Sequence, residues 1–168
     1  MTRRLVSFFV LVAMLASAGR AGGAVSTRLA TPAVVRDHLD AIRRLDGFRG
    51  LPEPIIAGEF KVDGNSAAGW KIAAPGQPFN AADAGPNPDL PARRLIFAAC
   101  DTVVCIVHYE RGGIAHFYEI LAFAKTERGW SVAMNAIGSR PLANLTALGQ
   151  LLRGAPFGWN QQSVAGDY

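Results

Sequence analysis

Between Arg93 and Ile137 the chain leaves little room for anything but strands. Arg93 to Cys100, Val103 to Glu110, Ile114 to Ala124 and Trp130 to Ile137 are runs rich in apolar, β-branched and aromatic residues. Between them lie only Asp101-Thr102, Arg111-Gly112-Gly113 and Lys125-Thr126-Glu127-Arg128-Gly129. Connections this short cannot carry the chain across a sheet, so consecutive strands must be antiparallel neighbours. Helices are expected to cover one face of this meander, with the long proline-rich loop or the tail partly covering the other.

The upstream flank predicts a helix over 31–46. Thr31 can cap it, Pro32 suits its first turn, and Gly47 suits the position just past its end. Val35, Leu39, Ile42 and Leu45 form one apolar face, with Arg36, Asp37, Asp40, Arg43 and Arg44 turned away and Phe48 folding back over the end. Short strands are expected over Gly58–Val62 and Ala68–Ala73, on either side of the turn Asp63-Gly64-Asn65-Ser66. Five prolines and two glycines from Pro75 to Pro91 exclude regular helix or central strand there, which leaves a functional loop or a wrap around an edge. Downstream, Leu142, Leu145, Leu148 and Leu152 follow helical spacing, with Pro141 at the start and Gly154 past the end. The tail holds Phe157, Trp159 and Tyr168, enough aromatic surface to pack partly on the domain. The expected fold is α+β: an N-terminal helix packed on an antiparallel meander of about five or six strands, with a C-terminal helix.

The first residues read differently. Met1-Thr2-Arg3-Arg4 is a short positive start, Leu5 to Ala16 is an almost unbroken apolar run, and Ala16-Ser17-Ala18 places small residues where a signal peptidase reads them. Residues 1–18 are expected to be a signal peptide, cleaved after Ala18 or as late as Ala24, and residues 25–168 a single exported domain. The apolar run is short of the ~20 residues a membrane span requires. Its short arginine-led form looks bacterial, so periplasmic or extracellular delivery is expected. Two arginines of the formal +4 charge lie in the leader, so the processed chain is only weakly basic. Its arginines are dispersed and form no basic stripe with interleaved aromatics, which argues against nucleic acid as a partner. A composition 50% hydrophobic and 18% charged excludes intrinsic disorder.

Cys100 and Cys105, carried into an oxidising compartment, are expected to form a disulfide. The C-x4-C spacing suits two strands joined by a tight loop, and no adjacent Lys or His would activate a thiol. In layout, the leader, a helix and a strand ending in Ala99-Cys100 before a C-x4-C loop are similar to periplasmic lysozyme inhibitors of the Ivy type. That similarity covers about 20 residues and implies a periplasmic inhibitor of a cell-wall hydrolase as one alternative function. The family's loop presents a histidine, whereas here the loop reads Asp101-Thr102-Val103-Val104.

The candidate site lies on the hairpin Val107–Glu119. A loop of Arg111 to Gly113 sets His108 opposite His116 and Glu110 opposite Ile114. Ile106, His108, Glu110, His116, Tyr118 and Ile120 then share one face, with Cys105, Val107, Tyr109, Phe117, Leu121 and Phe123 on the other. The second set is a core. The first, with His108, Glu110, His116 and Tyr118, reads as a half-covered sheet surface, as a ligand-binding hollow, or as a metal or acid–base site. His38 falls at the boundary of the first helix's apolar face, and Asn144-Leu145-Thr146 matches a glycosylation acceptor inside the expected C-terminal helix. The G-x-S-x-G elbow, the H-E-x-x-H helix, the dinucleotide fingerprint and the P-loop are all missing from the sequence. The sequence implies no cofactor. The expected function is a non-enzymatic binding domain for an envelope protein or a small ligand, with a small hydrolytic or metal-dependent enzyme using His108 and His116 as the main alternative.

Overall fold

A computed structural model describes residues 31–60, 72–82, 84, 86–154 and 158–162. The expected signal peptide, the turn expected at 63–66, and Phe157 and Tyr168 of the tail lie outside the described residues. Mixed helix and largely antiparallel sheet make the architecture α+β, with elements in the order α1 (Ala33–His38), β1 (Arg43–Arg44), α2 (Glu53–Ile55), a π-helical segment (Ile56–Phe60), β2 (Ile72–Ala73), β3 (Arg93–Cys100), β4 (Val104–Arg111), β5 (Phe117–Thr126), β6 (Gly129–Gly138), α3 (Leu145–Leu152) and β7 (Trp159–Gln162). The sheet runs β1-β3-β4-β5-β6-β7, with β2 pairing parallel to β3 alongside β1. The four central strands are the meander that the short connections require.

Two bulges decide which residues face which way. In β3 the register shifts between Leu95 and Phe97, so these two residues, which strict alternation would place together, pack on opposite faces. In β6 a second irregularity opposite Ala122 and Phe123 does the same for Val132 and Met134. On one face Val35, Leu39 and Ile42 pack with Leu148, Leu151 and Leu152 of α3 over Phe97, Ile106, Ile120 and Met134. On the other, Leu51, Ile55 and Phe60 cover Leu95, Val107, Tyr109, Leu121 and Phe123. Each buried side chain of this kind contributes about 1.5–3 kcal/mol of transfer free energy, so both covers are needed.

Several expectations are corrected. The helix predicted over 31–46 ends near Leu39, because Arg43 and Arg44 pair with Cys100 and Ala99 at the edge of β3 and the Leu45 amide bonds Ala98 O at 2.8 Å. The apolar spacing misled here: Val35, Leu39 and Ile42 share one core, but Leu45 crosses to the other. Pro32 occupies the cap position and Thr31 makes no capping bond. The strand predicted over Gly58–Val62 is instead the π-helical segment as far as Phe60, whose wide turn carries Ile55 and Phe60, five residues apart, into the same core. Of the strand predicted over Ala68–Ala73, Ile72–Ala73 is described as β2. The C-terminal helix begins later than Pro141: Asn144 caps it, its Oδ1 accepting from Ala147 N at 2.9 Å. Strand β7 was not anticipated. Its Trp159 is buried because its indole lies across Gly138, where a Cβ would sit 2.3 Å from the ring.

The proline-rich stretch is a loop closed on itself. The Asn80 amide donates to Asn87 O at 2.7 Å and Leu90 O at 2.9 Å and accepts from Asn87 N, while Asn80 N bonds Pro91 O. It presses against Gly112 so closely that a Cβ there would lie 1.8 Å from Asn80 O. Cys100 and Cys105 form the disulfide joining β3 to β4.

Candidate functional site

The β4–β5 register differs from the expected one. His108 faces Ile120, Glu110 faces Tyr118 and Arg111 faces Phe117, so the loop runs from Gly112 to His116 rather than from Arg111 to Gly113. The loop is longer by two residues, and His116 leaves the ladder. The face assignment survives because each pairing slips by an even number of positions, which preserves the alternation. Ile114, assigned to a strand, stands at the tip with 97% exposure.

This register brings Glu110, His116 and Tyr118 together and leaves His108 deeper. Glu110 receives Arg94 Nε at 2.6 Å on one oxygen and lies 3.0 Å from His116 Nε2 on the other. Arg94 in turn lies over the Phe79 ring at 4.4 Å, which ties the proline-rich loop to the hairpin. The His116 ring is 5.2 Å from that of Tyr118. The Glu110 carboxylate is thus held from both sides by protein groups.

His108 is wholly enclosed, edge-on to Phe97 and Trp159. Its Nδ1 donates to Glu119 O at 2.9 Å, and its Nε2 accepts from Leu142 N at 3.0 Å. A carbonyl only accepts and an amide N–H only donates, so these partners fix the neutral tautomer with the proton on Nδ1. Burial drives its pKa down from 6.5 to about 4, against the Glu119 bond and the Glu110 charge. Chemically, His108 staples β4 and β5 to the segment leading into α3. Among the described residues no group of three or more His, Cys, Asp or Glu is placed to hold a metal ion.

His38 reaches the disulfide loop. Its Nδ1 lies 2.5 Å from Asp101 Oδ2, while Asp101 Oδ1 accepts from Val103 N and Val104 N at 2.7 and 2.6 Å. Burial works to raise the Asp101 carboxyl, but the two backbone bonds and His38 outweigh it and hold it below the ordinary carboxylate range. The pair anchors the loop to α1.

A concavity lies elsewhere among the described residues. A cleft of about 570 Å³ opens between α2 with its π-helical segment and the turn end of the β5–β6 hairpin. Ile55, Phe123, Trp130 and Val132 supply apolar wall, and Glu59, Thr126, Arg128 and Ser131 supply polar groups. Glu59 sits on the π-helical segment with its side chain 22% exposed and Arg93 Nη1 at 3.9 Å. Burial lifts the Glu59 carboxyl above its ordinary 4.5; Arg93 pulls it back and Glu119 pushes it further up. Behind it Glu119 is engaged by the Tyr109 hydroxyl and by Arg111 Nη1 at 3.3 Å, and the Arg93 guanidinium lies over the Tyr109 ring at 5.2 Å. Burial, and then the neighbouring carboxylates, raise the Tyr109 hydroxyl well above its ordinary range, despite Arg93, so it stays a donor.

Sequence reasoning passed over this cleft because it expected a short strand over Gly58–Val62, where the structure has the π-helical segment that carries Glu59. The available signal was Glu53-Pro54 before Ile55 and Ile56, an acidic residue and a proline at a helix start. No family model matches the chain, and searches of curated proteins and of solved structures likewise found no match. The class defined by fold and site is therefore an α+β domain whose meander is covered on both faces and carries a cleft beside one cover. Among the described residues no helix is long and apolar enough to cross a membrane.

Proposed function

We propose that this is an exported, non-enzymatic binding domain whose ligand is a small molecule held between the π-helical segment and the β5–β6 hairpin. The observation that carries this reading is the cleft of about 570 Å³. That volume falls in the range of small-molecule sites, about 300–1,000 Å³, and its mostly apolar wall with a few polar groups has the composition of such sites. Export rests on the leader at 1–18 and on the Cys100–Cys105 bridge, a bond that persists in oxidising compartments. Binding is favoured over catalysis because His108 has both ring nitrogens engaged inside the fold and Glu110 is held between Arg94 and His116.

Ligand-observed NMR with a fragment library, run on the wild-type protein and on Trp130→Ala, tests the reading. Hits that lose their signal in Trp130→Ala support it. A screen without such hits would sink it. So would stoichiometric zinc or iron in protein purified without chelator that is lost in His116→Ala, which would favour the metal-dependent alternative.

A further inference from the structure

We infer that the cleft selects a protonated amine carried on a flat apolar body, with the ammonium on Glu59 and the ring against Trp130 and Phe123. This rests on the reading of the cleft as the ligand site and names the chemistry of what it takes.

Glu59 is the polar group that distinguishes this cleft from an apolar dent. Among the described residues nothing donates a hydrogen bond to its carboxylate, and its nearest cation, Arg93 Nη1, stands at 3.9 Å, beyond hydrogen-bond length. A carboxylate partly removed from water, with no hydrogen-bond donor among the described residues, keeps its acceptor capacity for a ligand. A ligand ammonium supplies donors and opposite charge together. The Glu119 carboxylate behind is already committed to Tyr109 and Arg111, so it does not compete for that cation.

Two other ligand classes fit less well. An anion would be drawn to Arg128, but that side chain is exposed on the β5–β6 turn, where water and salt screen it. Glu59 lies where screening is weaker, so its charge weighs more in the cleft. A saccharide needs several fixed donors and acceptors. The Thr126 hydroxyl is spent on Gly129 O at 2.9 Å and on Arg128 N at 3.2 Å, which leaves little polar wall for a polyol. Trp130 and Phe123 suit a ring, and a cation beside Trp130 gains from its π-face as well.

The test is a titration with three probes of one shape and three charges: 2-phenylethylamine, 2-phenylethanol and 3-phenylpropanoate, read by tryptophan fluorescence and ligand-observed NMR. The amine is expected to bind about tenfold tighter than the alcohol. Glu59→Gln should shrink that advantage to about twofold or less, and an unchanged near-UV circular dichroism spectrum reports that the variant is folded. Trp130→Ala should weaken both. An alcohol or carboxylate that binds as tightly as the amine, at a site still sensitive to Trp130→Ala, would overturn the amine assignment and leave the cleft a ligand site. Amine binding that survives both substitutions would overturn it by locating the amine elsewhere. If no probe shows binding sensitive to Trp130→Ala, the amine assignment and the cleft reading fail together.

Discussion

Acidification should destabilise this protein through His108, in a pH window that the structure defines. The folded ring is neutral, enclosed and bonded at both nitrogens, with its pKa near 4 against 6.5 for an exposed histidine. Above pH 6.5 neither state carries the proton and the folded state loses nothing. As pH falls from 6.5 towards 4 the unfolded chain takes up a proton that the folded chain refuses, so stability drops by up to about 1.4 kcal/mol per pH unit. Over the full window the loss is about 3 kcal/mol, a large part of the 5–15 kcal/mol typical of a domain.

Other groups titrate nearby, with signs of their own. Glu59, raised by burial, binds its proton more readily when folded, so it stabilises the fold as pH falls through its raised value towards 4.5. Asp101, lowered, costs stability only as pH falls below about its ordinary 3.8. His108→Gln isolates the histidine, because an amide can still donate to Glu119 O and accept from Leu142 N but does not titrate. Urea unfolding followed by tryptophan fluorescence should show the wild type losing about 3 kcal/mol more than His108→Gln between pH 7 and pH 4. Parallel stability profiles for the two proteins, or an imidazole NMR titration with its midpoint near 6.5, would refute the burial argument.

Three further outcomes are expected. Gly112→Ala should destabilise by about 2 kcal/mol and open the 75–91 loop to proteolysis, since its Cβ would collide with the Asn80 and Ala81 backbone; an unchanged urea midpoint and cleavage pattern would count against loop docking. Removing the bridge in Cys100→Ala/Cys105→Ala should cost about 2 kcal/mol, the low value for so small a closed loop, and a loss of 4 kcal/mol or more would mean that it does more than limit chain entropy. Protein recovered from the periplasm of a bacterial host should begin at Gly19 or Val25 by N-terminal sequencing, and a cytosolic product retaining Met1 would sink the export reading.

The strands were legible wherever a connection was too short to leave a choice. β3 occupies the residues its pattern predicts, and β4, β5 and β6 differ from expectation only near their ends. The two cover segments were harder, because local pattern does not say which face a residue will serve. Leu45 continues the helical spacing of Val35, Leu39 and Ile42 and still packs on the opposite core, since the strand pairing of Arg43 and Arg44 redirects the chain. The five-residue spacing of Ile55 and Phe60 fits neither the strand period nor the ordinary helical one, so a π-helical segment was read as a strand. A bulge has no residue signature in Leu95-Ile96-Phe97 and shows only in how the partner strand pairs.

The cleft went unread in the sequence for a related reason. Residue types that carry chemistry were sought on the meander, where alternation made their grouping predictable, and Glu110, His116 and Tyr118 do meet. A meander covered on both faces, however, must satisfy its own buried polar groups. His108 is spent on Glu119 and Leu142, Glu110 on Arg94 and His116, and Glu119 on Tyr109 and Arg111. Spare polar capacity is expected where a cover segment meets the sheet imperfectly, because there a concavity remains and no ladder dictates the partner. Glu59 occupies that position, on the irregular turn of a cover and facing the end of a hairpin. Under the proposed function the binding chemistry belongs to the cover, while His108 serves the fold.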